Sequence, residues 1–230
     1  MPASLFVEVR RYMAVATAAS MIALAAPAQA QQDQQALVTS AQQTFSDFIR
    51  DPDMTWFRGN IGRAKGVLIA PEIVKAGWIF GGSGGRAVLY RNDPSGRWTG
   101  PAFYNIGAAS VGFQAGLSVS QTVTLVMTDK GMNSLLAPSV KLGGDASVAA
   151  GPVGAGANSD VTTDFVAFSR SKGLYGGLNL EGSVITPAND WNNTYYGKSV
   201  LPPDILVRGD VRNPQGAALA GDIDRAAKAK

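Results

Sequence analysis

The chain has 230 residues, 46% hydrophobic and 16% charged, with a net charge of +3, so a disordered polyelectrolyte is excluded and a nucleic-acid partner is not indicated. It contains neither cysteine nor histidine, which removes disulfides, thiol nucleophiles, Cys/His zinc sites and Ser-His-Asp triads. Residues 31–230 are enough for one domain with a substantial core, and no segment repeats at a fixed period.

Residues 1–30 read as a signal peptide. Arg10 and Arg11 form its positive region, Met13–Ala26 is an uncharged apolar run, and Ala28-Gln29-Ala30 supplies the small-x-small cleavage pattern. The run is too short and alanine-rich for a membrane-spanning helix. The product is therefore expected in the periplasm or associated with the outer envelope, and the arginine pair leaves both the general secretory and twin-arginine routes open.

From about 31 to 50 the spacing of Leu37, Ala41, Phe45 and Phe48 predicts an amphipathic helix. Its polar face carries glutamine, serine and threonine rather than lysine, so it is expected to dock on the domain core and not on a membrane. Asp51-Pro52-Asp53 ends it, with Asp53 as the expected cap of a second helix.

The core, about 60–210, reads mainly as strands. Val67–Ile69 and Ala87–Tyr90 are apolar runs, Thr122–Met127 alternates at its start before becoming apolar, Asn92–Gly96 is a turn signal, and later strands are predicted at Asp145–Ala150, Asp164–Ser169 and Leu174–Leu180. Short helices are predicted at Lys130–Leu136, at Pro203–Leu206 and in the alanine-rich tail after Pro214. The 27 glycines fall inside strands as well as between them, which favours a curved or partly closed antiparallel sheet. The expected fold class is α+β: a glycine-rich antiparallel sheet with flanking helices in a single domain.

Gly81-Gly82-Ser83-Gly84-Gly85 lacks the lysine of a phosphate loop and the helix of a dinucleotide fingerprint, and is expected to be a hairpin connection or bend. The acidic pairs Asp51/Asp53, Asp160/Asp164 and Asp222/Asp224 have no ligand-loop context and read as caps and turns. Ser171-Lys172 is adjacent on a strand, which points the two side chains apart. No metal, cofactor or catalytic group is indicated. Between residues 50 and 100, eight basic residues stand against four acidic ones, close to Trp56 and Phe57.

The blocks Ala64–Arg91, Gly96–Ser118, Leu142–Ala157 and Phe168–Ile185, followed by Tyr195-Tyr196-Gly197 and Asp204-Ile205-Leu206, resemble the SYLF family in the family's own order. The resemblance covers nearly all of residues 31–230. It implies a lipid-binding domain without catalytic activity, whose eukaryotic relatives are also tied to actin regulation through neighbouring modules. Because of the signal peptide, actin is not an expected partner here. Anionic phospholipid, or a phosphoinositide-like headgroup, is the expected ligand, with a protein partner in the envelope as the alternative. The chain departs from the family pattern at Ala155, where arginine is frequent. Lys65, Lys75 and Arg86 lie in matching blocks and are the first lipid-contact candidates, followed by Arg58 and Arg63 beside Trp56 and Phe57.

Overall fold

The computed structural model describes residues 31–77, 80–111, 116–154, 162–171, 174–176 and 180–229. Residues 1–30 with the expected leader, Ala155, Asp160, Lys172 and residues 177–179 of the strand expected over Leu174–Leu180 lie outside the described residues.

Helix α1 (Gln32–Arg50) opens the fold and α2 (Thr55–Asn60) follows it. Val38, Ala41, Phe45 and Phe48 recur at helical spacing and are buried on one face of α1, so the helix docks on the core as its composition predicts. The break between the two helices is closed by Asp51, whose carboxylate accepts from the Asp53 amide at 2.8 Å; Asp53 itself caps nothing, because α2 starts at Thr55 without a side-chain cap.

Nine strands among the described residues form one curled sheet. Four are long: β1 (Gly66–Gly77), β2 (Phe80–Asn92), β3 (Trp98–Val111) and β4 (Gly116–Val126). Five are shorter: β5 (Val140–Lys141), β6 (Val148–Ala150), β7 (Phe165–Ser171), β8 (Leu174–Gly176) and β9 (Val184–Pro187). The order is β5-β9-β3-β2-β1-β4-β7-β6, with β8 also on β7. Every pairing is antiparallel except the short β6–β7 contact. Helices α3 (Asp129–Leu135), α4 (Asn189–Tyr196) and α5 (Ala217–Lys228) and a π-helical turn over Asp204–Arg208 complete the domain.

Both faces of the sheet are covered along Val67–Ile69 of β1 and Ala87–Tyr90 of β2, which explains why these segments read as continuous apolar runs and not as alternations. On one face Val67, Ile69, Val88, Phe103, Val123 and Phe168 pack beneath α1, α2 and α5. On the other, Leu68, Leu89, Tyr104 and Phe165 meet Met132 and Leu135 of α3 and Ile205 and Leu206 of the π-helical turn.

The Gly81–Gly85 run is neither hairpin connection nor bend. It forms the interior of β2, paired with β1 on one side and β3 on the other. The reason lies in β1, whose register slips between Ile69 and Glu72 at Pro71, a residue with no amide to donate to a ladder. The bulge pushes the Glu72 carbonyl towards β2, where a Cβ on Gly85 would overlap it. Glycine here answers a close approach of backbones.

Candidate functional groove

Strands β1–β4 are longer than the helix layer is wide, and α1 lies across them. Gln31 at its start donates to the Thr194 carbonyl of α4, while Asp47 near its end pairs with Arg170 of β7 at 2.7 Å. Beyond α1 no described residue covers this face of the sheet, so helix and sheet form an open corner of about 1000 Å³. Its helical wall includes Asp33, Leu37, Ser40 and Thr44; its floor includes Glu72, Val74, Gly84 and Arg86, and Trp191 of α4 stands at one end.

Alternation along the strands extends this floor. Val123 and Leu125 of β4 pack beneath α1, so Gln121, Val119 and Leu117 point to the same side. Val74 lies directly between Gly84 and Val119 in register, and Ala76 between Gly82 and Leu117. Leu117 is 69% exposed and Val119 47%. Glycines on one side and apolar side chains on the other thus make a shallow apolar tract leading out of the groove.

Arg86 marks the polar end. Its guanidinium lies 4.1 Å from the centroid of the Trp191 ring, which is held in turn by Phe103 at 5.9 Å. Stacking of this kind is worth roughly 1 kcal/mol and holds the cation against the wall. Glu72 is its register partner on β1, yet among the described residues no carboxylate forms an ion pair with Arg86 and no cation with Glu72. Thr44, fully buried on the helical wall, has a hydroxyl with no hydrogen-bond partner among the described residues.

Of the seven residues chosen from sequence, Arg86 alone lines this groove. Trp56 and Phe57 are core residues stacked on Phe168, with ring centroids 5.8 and 5.2 Å away, so neither ring can reach an interface without opening the fold. Arg58 points inward along the chain, donating to the carbonyls of Ile49, Asp51 and Pro52. Arg63 reaches Asn60 at 3.5 Å, and Lys65 pairs with Asp129 at 3.3 Å. Lys75 alternates with Val74 and so leaves the sheet on the face opposite α1. Lys65 and Lys75 are also about 30 Å apart along an extended strand. The seven therefore make no common surface. What sequence reading missed is Glu72, Trp191, Leu117 and Val119; the last two carried a signal, since Leu-x-Val-x-Gln in β4 alternates towards one side.

The strongly held carboxylate of the fold lies elsewhere. Burial pushes the Asp164 pKa up, but hydrogen bonds from Thr128 and Ser147 and the charge of Lys130 outweigh it and bring the value down to about 2. This fastens the start of α3 to β7 and is structural. Among the described residues no three acidic side chains gather as a metal site.

A family model described as Las17-binding protein actin regulator, Ysc84, matches residues 107–221, half of the chain. The chain belongs to the Ysc84, or SYLF, family. Two relatives of this Ysc84-family chain are instructive. It is 30% identical over 162 residues to the human SH3 domain-containing YSC84-like protein 1, covering 68% of this chain and 47% of that protein. It is 33% identical over 159 residues to LAS seventeen-binding protein 3 of Saccharomyces cerevisiae, covering 66% of this chain and 34% of the yeast protein. The chain thus spans about half the length of the animal relatives and a third of the yeast one. Of the groove's lining the matched span includes Gln121 and Trp191, and with them Leu117 and Val119 of the apolar tract, while Arg86 and Glu72 lie before it.

Proposed function

We propose that this Ysc84-family domain binds phospholipid in the groove between α1 and the sheet and performs no chemistry of its own. In this reading the headgroup phosphate meets Arg86 and an acyl chain lies along Val74, Val119 and Leu117. The observation that carries it is the stacked Arg86 guanidinium, without an ion-pair partner among the described residues, at the end of an open groove that continues into exposed apolar strand residues. A polar groove that opens onto an apolar tract at Val74, Val119 and Leu117 offers an amphiphile a place for its headgroup and one for its chain. The leader expected from sequence would place this activity at an envelope membrane.

Co-sedimentation of the protein with phospholipid vesicles tests the reading. A cation near a lipid surface contributes about 1 kcal/mol, so Arg86→Gln is expected to weaken binding about fivefold, with Arg63→Gln unchanged. Equal binding by wild type and Arg86→Gln, or no sedimentation at any salt concentration, would exclude it. A protein partner is the second reading, favoured by the family description, Las17-binding protein actin regulator. Pull-down from envelope extracts that survives Arg86→Gln and detergent would support that reading instead.

A further inference from the structure

The charges of the groove point beyond a simple anion site. Its charged side chains among the described residues are Arg86, Glu72 and Asp33: one cation and two carboxylates. Arg86 and Glu72 stand opposite each other on β2 and β1, a spacing of about 5 Å between their Cα atoms. They do not pair, because the Trp191 ring holds the guanidinium turned towards α4. A purely anionic headgroup would satisfy the arginine and face both carboxylates as like charges. A headgroup with both signs, a short spacer apart, would satisfy the two strands at once.

We infer that the groove takes a zwitterionic phospholipid whose phosphate is joined to a primary ammonium, with the phosphate on Arg86 and the ammonium on Glu72, in preference to an anionic glycerol headgroup. The inference rests on the phospholipid reading above and names the headgroup class. A primary ammonium can donate hydrogen bonds to Glu72, whereas a quaternary one cannot, so choline lipids rank below ethanolamine lipids.

Native mass spectrometry of the protein with equimolar short-chain phosphatidylethanolamine, phosphatidylglycerol and phosphatidylcholine separates the cases. The ethanolamine lipid is expected to be bound about three- to fivefold over each of the others, the range of one partly exposed charge pair. Glu72→Gln, an exposed strand position, should fold normally and bring the ethanolamine-to-glycerol ratio to about one, while Arg86→Gln lowers all three. Binding of the glycerol lipid as well as or better than the ethanolamine lipid, or a ratio unmoved by Glu72→Gln, overturns the headgroup assignment and leaves phospholipid binding intact. No adduct with any of the three overturns the phospholipid reading itself.

Discussion

Two glycines have opposite roles in the fold. Gly85 faces the Glu72 carbonyl so closely that a methyl group cannot be inserted without moving β1, whereas a methyl on Gly59 in α2 meets nothing within 4 Å. Gly85→Ala is therefore expected to destabilise by about 1–3 kcal/mol, through backbone displacement. Gly59→Ala should stabilise by about 0.5–1 kcal/mol, since a helical glycine is replaced by a better helix former. Urea unfolding midpoints of the two variants should move in opposite directions. Arg58 offers a similar contrast between charge and role. Its guanidinium donates to three carbonyls at the α1–α2 break, so Arg58→Gln should lose about 1–2 kcal/mol of stability and leave vesicle binding unchanged. Basic residues look alike in a sequence; only their donors' targets distinguish a cap from a contact.

The helices were the more legible elements. Helical spacing located α1, and the alanine-rich tail became α5, because each buries a single apolar stripe whose period survives in the sequence. Phe48 illustrates the strength of that stripe: it is fully buried on α1 with its ring edge-on to Phe57, and Phe48→Ala is expected to cost about 3–5 kcal/mol, read from thermal or urea unfolding. The strands were legible as apolar runs but not in their extent. Glycine-rich Gly81–Gly85 resembles a turn, and its place inside β2 depends on a bulge in the neighbouring strand that no local pattern reveals. The groove was less legible still. Arg86 comes from β2, Glu72 from β1, Trp191 from α4 and Thr44 from α1, and pairing across the sheet is what brings them together. Trp56 and Phe57 misled because aromatic residues beside arginines look interfacial until packing shows them under α1.

At the scale of the molecule, acid stability depends on a few carboxylates. The Asp164 pKa lies near 2 in the folded protein, below its ordinary carboxylate value. A depressed folded pKa means that the carboxylate stabilises the fold above the unfolded value, near 4, and that this contribution is lost as pH falls towards 2. Asp93, held at about 2 chiefly by the Ser95 hydroxyl and also by the Ser95 and Arg97 amides, titrates over the same window. Asp164→Asn should thus be less stable than wild type at pH 7, with the gap narrowing between about pH 4 and pH 2 in denaturant titrations. A gap that stays constant over that window would mean that the carboxylate charge contributes nothing to holding α3 on β7.

Phe45 of α1 shares its core with Leu219 and Ile223 of α5, and the Gln42 side chain donates to Asp222 at 2.6 Å across 180 residues of chain. During synthesis α1 must therefore wait, with its apolar stripe uncovered, until α5 has followed it. Such a domain closes late in its synthesis.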